Sequence, residues 1–382
     1  MWEAQHDRPT VAEVDLASIA RNIAAIRRRI GPKPEMMAVV KADAYGHGAI
    51  QVASTALTSG ATWLGVALVE EGVVLRKSGI IAPILVFGQL FPGQARRALR
   101  YSLSCTVSTY EFAEALSVAA TQEGKKGKCH IKVDTGMGRI GVSPRQTAIF
   151  VRRVAMLPNV EVEGIYTHFA TADADDKSFA REQLSRFMQV IDVLRDVGVT
   201  VQFRHAANSA ACVDMPEARL DLVRPGILMY GLSPFGRERF QQVKKEMDIQ
   251  PALSLKTRVC FVKRVSTGTP VSYGATYVTE EDTVIATLPI GYADGLSRGM
   301  SNRGEVLIRG KRLPIVGRVC MDQCMVDAGG LDVEVGDEAV LIGRQGGEEI
   351  SAEEVADRLG TITYEVVCAI GRRVPRVYSS QS

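Results

Sequence analysis

The sequence lacks the features that direct a protein to a membrane or to nucleic acid. No run approaches the ~18 consecutive apolar residues that a membrane-spanning helix needs. The opening residues, MWEAQHDRPT, contain no apolar core of the kind found in a signal peptide. The formal net charge is only +3, too small for the strong positive field of a nucleic-acid-binding surface. We therefore expect neither membrane nor nucleic-acid partners.

Cysteine is scarce, and its pattern argues against cross-linking and against metal. The seven cysteines are odd in number and lie mostly in apolar runs, which indicates reduced core thiols in a cytoplasmic protein. Cys320 and Cys324 stand four residues apart, but no second Cys or His pair accompanies them. We therefore expect no metal site.

The first part of the chain alternates short apolar runs with helical patterns. Leu184, Phe187 and Ile191 belong to the clearest helical stripe, over residues 178–195. Alternation of this kind implies parallel strands with helical crossovers, and eight repeats suggest a (β/α)8 barrel of the TIM type. A doubly wound sheet is the alternative, and periodicity alone does not decide between the two. The predicted strands are 36–40, 62–67, 84–88, 103–107, 129–134, 160–167, 201–205 and 220–223.

The pattern changes after about residue 235. Short β-like runs separated by Gly and Asp turns replace the alternation, and few helical patterns remain. We predict an α/β protein with a (β/α)8 barrel in residues 1–238 and a mainly β C-terminal domain in residues 239–382. The segment at residues 11–30 is predicted to be a helix that precedes the barrel, and Ser351 with Glu354 forms a capping-box pattern near the end of the chain.

Polar residues capable of chemistry recur just after the predicted strands. Lys41, in AVVKADAYGHGA (38–49), directly follows the first strand. Each such residue alone has a structural explanation, such as a solvated strand end or a satisfied core histidine. The carboxyl ends of parallel barrel strands meet at one mouth, where barrel enzymes place catalysis, so their recurrence indicates an active site. The residues are Lys41, Tyr45, Arg139, His168, Asn208, Ser209 and Arg224.

One glycine motif is misleading. GMGRIG (136–141) matches the dinucleotide-binding pattern G-x-G-x-x-G and follows a predicted strand. In a dinucleotide site the glycines open the helix, whereas here Ser143 and Pro144 mark a later helix start. We therefore interpret the motif as a turn that presents Arg139, without nicotinamide binding.

A lysine and a phosphate cradle at the same mouth indicate a cofactor. The loops after the seventh and eighth barrel strands commonly bind phosphate. Here HAANSA (205–210) supplies a hydroxyl and N–H groups, and RPGI (224–227) supplies a glycine. Pyridoxal 5'-phosphate, an aldehyde that forms a Schiff base with a lysine, matches both features. A sugar-phosphate aldolase would use the same two features and stays open as an alternative.

Several motifs spread along nearly the whole chain resemble those of one enzyme family. They are VVKADAYGHG (39–48), MGRIG (137–141), THFATAD (167–173), NSA (208–210), RPGILMYG (224–231), VSYGATY (271–277), GYADG (291–295) and GRVCMDQ (317–323). This set resembles the alanine racemases, pyridoxal-phosphate enzymes of fold type III. The resemblance implies a head-to-tail homodimer with shared active sites. It also implies interconversion of L- and D-alanine, which supplies D-alanine for bacterial peptidoglycan.

The resemblance also implies residue roles. Lys41 would hold the cofactor and serve one face of the substrate, and Tyr273 of the other subunit would serve the opposite face. His168 would lie against the pyridine ring, Arg224 would contact the ring nitrogen, and Arg139 would meet the cofactor hydroxyl and the substrate carboxylate. The residues implied at the phosphate are Tyr45, Ser209, Gly226, Ile227 and Tyr364. The residues implied at the substrate are Met321 and Asp322 of the other subunit, with Tyr292 lining the entrance.

Two positions bear on the choice among related activities. Lys132 matches a position that is often carbamylated in the family. Arg224 stands where related barrel decarboxylases have a glutamate. Arginine is always protonated, so it can donate to a ring nitrogen but cannot protonate it, which favours a racemase. A serine or broad-specificity racemase, a decarboxylase and a pyridoxal-phosphate-binding regulatory protein remain alternatives. The last class typically lacks a second domain.

Overall fold

The computed structural model describes residues 7–379, which form two compact units. One unit comprises residues 18–44 and 49–250, and we call it the barrel unit. The other comprises residues up to 17, residues 45–48 and residues from 251 onward, and we call it the β unit. The first strand of the chain, β1 (Val11–Asp15), belongs to the β unit.

Eight parallel strands form the sheet of the barrel unit. They are β2 (Glu35–Val39), β3 (Trp63–Val66), β4 (Ile84–Val86), β5 (Ser104–Val107), β6 (Gly127–Lys132), β7 (Val160–Tyr166), β8 (Phe203–His205) and β9 (Leu222–Val223). Strands β2 to β8 are neighbours in chain order, and β9 pairs with β2. The Arg224 N–H donates to the Ala207 carbonyl oxygen (3.0 Å), which joins the loops after β8 and β9 and nearly closes the ring. The barrel prediction is confirmed, and the doubly wound alternative is wrong.

Helices follow most of these strands. The predicted apolar stripe is buried in Ser178–Asp196, including Leu184, Phe187 and Leu194. Pro144 opens a helix after Ser143, as predicted, although the Ser143 hydroxyl contacts Gln146 Oε1 (3.3 Å) and does not cap a backbone N–H. The helices are Leu16–Ile30, Ala49–Thr58, Val69–Lys77, Ala95–Arg100, Tyr110–Gln122, Pro144–Ala155, Ser178–Asp196, Ser209–Asp214 and Arg237–Met247.

The β unit is mainly β, as predicted. Its strands besides β1 are β10 (Leu253–Arg258), β11 (Phe261–Val265), β12 (Pro270–Val271), β13 (Tyr277–Val278), β14 (Thr283–Leu288), β15 (Glu305–Ile308), β16 (Lys311–Val316), β17 (Cys324–Gly329), β18 (Glu338–Gln345), β19 (Glu348–Ile350) and β20 (Arg376–Ser379). Two helices, Ala352–Leu359 and Thr363–Cys368, come near its end. The Ser351 hydroxyl accepts from the Glu354 N–H (3.1 Å) and so caps the first of them.

The beginning of the chain differs from the prediction. Residues 11–15 form a strand, and only Leu16–Ile30 is helical. Strand β1 pairs antiparallel with β10 and parallel with β20, which places it next to the edge strand of the large sheet of the β unit. The helical prediction for 11–15 is wrong because pairing with two distant strands overrides the local pattern.

The division of the chain into units also differs from the predicted boundary at residue 238. Helix Arg237–Met247 groups with the barrel unit, and Arg239 forms an ion pair there with Asp214 (2.5 Å). The unit boundary falls at residue 250, and β1 groups with the β unit because its hydrogen bonds go to β10 and β20.

The structure describes all seven cysteines, and none of them forms a disulfide. Four are buried, as expected for core residues, but Cys260 and Cys368 are exposed, so the prediction of core thiols is wrong for these two. Within residues 7–379, no helix is both long enough and apolar enough to cross a membrane.

Candidate active site

Lys41 lies just beyond the carboxyl end of β2 and opens an unusual turn. Ala42 to Ala44 all have φ between 51° and 54°, which makes a short left-handed helical turn. Left-handed residues with a side chain cost roughly 1–2 kcal/mol each, so the surroundings must hold them. The Glu71 carboxylate does so: it accepts from the Ala42 N–H (2.6 Å) and the Ala67 N–H (2.7 Å). The position of Lys41 is therefore set by a strained segment tied to the loop after β3.

Arg224 directly follows β9 and is almost fully buried, with 4% of its surface exposed. Its guanidinium donates to the carbonyl oxygens of Thr167 (2.8 Å) and Ala206 (3.0 Å) and to His205 Nδ1 (2.8 Å). Burial lowers the pKa of Arg224 to about 10, so the group remains a cation at neutral pH. These contacts tie together the carboxyl ends of three barrel strands.

His168 comes two residues after β7, beside Arg224. Arg224 Nη2 lies 3.4 Å from His168 Nδ1. Burial lowers the pKa of His168 well below its usual value, and the cations Arg224 and Lys132 lower it further. The His168 imidazole is therefore neutral at physiological pH and cannot add to the positive charge at the mouth.

Lys132 is the last residue of β6, and its side chain is buried. Burial, with the nearby cations Arg139 and Arg224, lowers the pKa of Lys132 to about 7. Lys41 acts in the same direction, and Asp134 opposes it. A neutral lysine amine is a nucleophile, so Lys132 is available for covalent modification near neutral pH.

Ser209 links the loops after β8 and β9. Its buried hydroxyl oxygen accepts from the Gly226 N–H (2.8 Å) and lies 3.4 Å from the Leu228 nitrogen. Ile227 begins a short 3-10 turn, Ile227–Tyr230, and is fully buried. The Ser209 hydroxyl and the N–H groups of residues 226 and 228 therefore lie together at this end of the barrel.

Arg139 lies on an exposed loop whose fold excludes a dinucleotide site. The Asp134 carboxylate accepts from the Gly136 N–H (3.1 Å) and the Gly138 N–H (3.0 Å). The helix begins only at Pro144, beyond the last glycine of the motif. A carboxylate occupies the N–H groups that a diphosphate would need, in agreement with the turn interpretation.

Two further predicted residues meet in the β unit. Tyr45 ends the left-handed turn after Lys41 and is buried, and Tyr364 lies on helix Thr363–Cys368. Their ring centroids are 5.9 Å apart with an angle of 56° between the planes. Burial raises the pKa of the Tyr45 phenol, so this group stays a hydrogen-bond donor.

The remaining predicted residues lie on neighbouring surface loops of the β unit. Tyr273 is 73% exposed, Met321 is 53% exposed and Tyr292 is 43% exposed. The Tyr292 N–H donates to the Cys320 carbonyl (3.0 Å), which joins two of these loops. Asp322 is also exposed, and its carboxylate accepts from Arg373 Nη2 (2.8 Å).

Sequence reasoning missed the polar groups that support this site. Glu71 holds the turn after Lys41, and His205 is a direct partner of Arg224. His130 and Glu163 lie deeper in the barrel and are buried. One signal was present, because His130 and Lys132 alternate along β6 and both are buried on the same side of the strand.

Comparison with known proteins identifies the family. Models of the alanine racemase N-terminal and C-terminal domains match residues 14–234 and 252–378. The chain belongs to the alanine racemase family. The alanine racemase of Desulforamulus reducens is 50% identical over 373 residues, covering 97% of this chain and 99% of that protein. The alanine racemase of Symbiobacterium thermophilum is 50% identical over 376 residues, covering 98% of each.

Solved structures of the alanine racemase family have the same fold. The enzyme from Bacillus anthracis with bound L-Ala-P superimposes with a TM-score of 0.92 at 42% identity, covering 99% of this chain and 97% of that one. A histidine racemase from Leuconostoc mesenteroides superimposes with a TM-score of 0.88 at 31% identity and covers 100% of both chains. The predicted family is confirmed, and with it the enzyme class: the chain is an amino-acid racemase, an isomerase.

Proposed function

We propose that this racemase interconverts L- and D-alanine with pyridoxal 5'-phosphate and supplies D-alanine for bacterial peptidoglycan. The observation that carries the proposal is the group of Lys41, Arg224 and His168 at the mouth of one barrel, together with about 50% identity to alanine racemases. We place the enzyme in the cytoplasm, which the absence of disulfides among its seven described cysteines supports.

The residues present fit the cofactor. Arg224 offers cationic N–H donors among neutral neighbours, and the neutral His168 ring lies beside it. Ser209 supplies a hydroxyl donor at the phosphate cradle, and the Gly226 N–H orients that hydroxyl by donating to its oxygen. In this proposal Lys41 holds the cofactor covalently and Arg139 meets its hydroxyl and the substrate carboxylate. Tyr45, Ile227 and Tyr364 complete the phosphate site. When bound, the cofactor withdraws electrons from the substrate α-carbon and so acidifies the α-proton.

Racemisation needs a proton donor and acceptor on each face of the α-carbon. The Lys41 amine would serve one face while the substrate, in place of Lys41, is joined to the cofactor. The phenol of Tyr273 from a second copy of the chain would serve the other face. A positioned acid–base group contributes roughly 10²–10⁴-fold in rate. The high exposure of Tyr273, Met321 and Tyr292 supports a head-to-tail homodimer, because a group that moves protons at a defined atom works best when shielded from water. Asp322 belongs to the same shared surface.

Arg224 bears on why the reaction stops at racemisation. A guanidinium donates a hydrogen bond but does not give up its proton, so it limits electron withdrawal through the ring nitrogen. The α-proton is then returned quickly, and loss of a carboxylate or transfer of the amine is disfavoured. This reasoning supports a racemase over a decarboxylase at this site.

Lys132 is the proposed site of carbamylation. A neutral amine adds to carbon dioxide, forms an N–C bond and releases a proton, which leaves an anionic carbamate. The lowered pKa of Lys132 makes the neutral amine available. The carbamate would lie close to the Arg139 cation and orient it toward the substrate carboxylate.

A broader substrate range is the second candidate. The similarity to a histidine racemase, at 31% identity over the whole chain, indicates that this fold also accepts larger side chains. Serine or a wider set of amino acids is therefore the alternative to strict alanine specificity.

The test is to purify the protein, record its visible spectrum and measure conversion of L-alanine to D-alanine by chiral chromatography. We expect a visible band from covalently held cofactor and formation of the racemate. A colourless protein that converts no amino acid would contradict the proposal. A panel of amino acids then decides between alanine and the broader range, because the favoured substrate shows the highest kcat/KM.

A further inference from the structure

A row of buried polar side chains, which we call the polar row, leads from Arg224 into the barrel interior. Arg224 Nη1 lies 2.8 Å from His205 Nδ1, and His205 Nε2 lies 2.8 Å from His130 Nδ1. His130 Nε2 lies 3.3 Å from Glu163 Oε1. Both imidazoles are completely buried, and Glu163 is nearly so. The barrel interior is therefore polar along β6 to β8, where apolar layers are usual.

Chemistry fixes the direction of the two hydrogen bonds that link Arg224, His205 and His130. Arginine can only donate, so His205 Nδ1 accepts and a neutral His205 carries its proton on Nε2. That proton is donated to His130 Nδ1, so a neutral His130 also carries its proton on Nε2, facing the Glu163 carboxylate. Burial lowers the pKa values of both imidazoles, which keeps them neutral. The donor direction therefore runs from Arg224 through His205 to His130, whose Nε2 lies 3.3 Å from Glu163 Oε1 without hydrogen-bond geometry.

Glu163 is the anion at the end of the polar row that is farthest from Arg224. Burial opposes its ionisation, but contacts with His130, Ser104 and Lys128 outweigh burial and lower the pKa of Glu163. Ser104 donates to Oε1, and Lys128 Nζ lies 3.0 Å from Oε2. The exposed Glu161 carboxylate lies on the Lys128 side, 4.0 Å from Nζ.

Aromatic rings surround the two imidazoles. The Tyr166 ring stacks on His205 with centroids 4.7 Å apart, and its hydroxyl pairs with Thr106 (2.8 Å). The Trp63 ring meets the edge of His130 at 5.4 Å. The low polarity around the polar row strengthens its hydrogen bonds. It also raises the free-energy cost of leaving any polar group in the row without a partner.

The backbone of β7 is irregular at this place. Cys129 pairs with Val162 and His130 pairs with Gly164, so Glu163 is the extra residue of a β-bulge. Bulges re-aim side chains next to functional sites. A Cβ atom at Gly164 would lie 2.2 Å from His130 Nδ1, so only glycine leaves room for the imidazole. The bulge at Glu163 and the glycine at position 164 thus both allow the His130 imidazole to lie beside the Glu163 carboxylate.

We propose that Glu163 is a positioning residue of the racemase. As the carboxylate beside His130 Nε2 it favours the proton on that nitrogen, so that His130 Nδ1 accepts from His205 and His205 Nδ1 accepts from Arg224. The guanidinium of Arg224 is thereby oriented toward the mouth of the barrel. The mechanistic consequence rests on the proposed function of Arg224 at the cofactor ring, whereas the proton positions do not.

The first test needs no substitution. ¹⁵N NMR of histidine-labelled holoenzyme reports the protonation of each ring, and the chain has only five histidines. We expect neutral rings with the proton on Nε2 for both His130 and His205. A proton on Nδ1 of either ring, or an imidazolium, would overturn the proposal. This readout stands whether or not alanine is the substrate, so failure of the proposed function is recognised separately by the lack of racemisation.

The second test compares three variants. Glu163→Leu removes the acceptor, and we expect a changed His130 signal and a kcat lower by about tenfold with an unchanged KM for alanine. Glu163→Gln keeps an acceptor oxygen and should restore most of kcat and the wild-type ring signals. Glu161→Gln, two residues earlier on β7 and exposed, is the control and should match the wild type. Equal losses in the Leu and Gln variants, or wild-type ring signals in Glu163→Leu, would overturn the proposal. Thermal unfolding of each variant identifies any that fail to fold.

Discussion

The site residues of the barrel unit and those of the β unit differ in how their positions are fixed. Arg224, Lys132 and Ser209 are buried and lie among polar contacts from several strands. Tyr273, Met321 and Tyr292 lie on exposed loops. The first group is organised within one chain by parallel strands whose carboxyl ends meet. The second group acquires its proposed role only against another surface.

This difference also appears in the backbone. In the barrel unit, the strained residues Ala42 to Ala44 are tied by Glu71 to a neighbouring loop. In the β unit, Ser272 has φ 66° and ψ −177°, which is rare for a residue with a side chain, and its hydroxyl donates to the Arg318 carbonyl (2.7 Å). Strained backbone next to Lys41 and next to Tyr273 is consistent with stored strain at functional residues.

The largest effect is expected at Lys41. Lys41→Ala removes both the covalent attachment and one acid–base group, so racemase activity should fall by about 10⁴-fold or more. The visible cofactor band should disappear with it. Lys77→Ala, an exposed lysine on helix Val69–Lys77, is the control and should keep both. A Lys41→Ala protein that retained the band would remove Lys41 from its assigned role.

Tyr273 comes next. Tyr273→Phe deletes one hydroxyl from an exposed side chain, so Tm should stay within a degree or two while activity falls by about 10²–10⁴-fold. Deuterium incorporation from solvent, followed separately from L- and D-alanine, should be lost unequally in the two directions. Tyr110→Phe, distant in sequence and stacked on Arg153, is the matched control. Undiminished and equal exchange in both directions would show that the β unit supplies no acid–base group.

The pH dependence of stability tests whether burial lowers the pKa of Lys132. Its pKa of about 7 in the folded state is below the usual 10.5, so between these values the unfolded chain holds a proton that the folded chain has lost. Stability should therefore rise with pH in this window, by up to about 1.4 kcal/mol per pH unit from this residue. We expect the Tm difference between wild type and Lys132→Met to grow in favour of the wild type from pH 7 to 10.

The Lys132 experiment requires buffer free of carbon dioxide, since a carbamate would change the charge of the side chain. Lys126→Met, at an exposed position, should show no such pH-dependent difference. A constant Tm difference between wild type and Lys132→Met would show that Lys132 titrates as an ordinary lysine.

The smallest effect is expected at Ser272. Ser272→Ala loses the bond to Arg318 and keeps the strained backbone, so we expect a loss of about 1–3 kcal/mol in stability and a few-fold loss of activity. Ser272→Gly relieves the strain and should recover part of the stability, as Tm measurements on both variants would show. An alanine variant more stable than the glycine variant would contradict the assigned strain.

The sequence by itself determined much of this protein. Alternating apolar and helical patterns predicted eight barrel strands, because parallel strands buried on both faces form short continuous apolar runs. The motif set predicted the family, and residues just after the strands indicated the mouth of the barrel. These signals are local in the chain, so they can be read without coordinates.

Other features were decided only by tertiary structure. Strand β1 pairs with β10 and β20, more than 200 residues away, and nothing in VAEVD specifies those partners. The bulge at Glu163 is set by the register of β7 against β6, and it brings residues of β6, β7 and β8 into one row of polar side chains. The left-handed turn after Lys41 depends on Glu71, whose carboxylate is near only after folding. Long-range pairing fixes these features, because their stabilising contacts exist only once distant segments are packed.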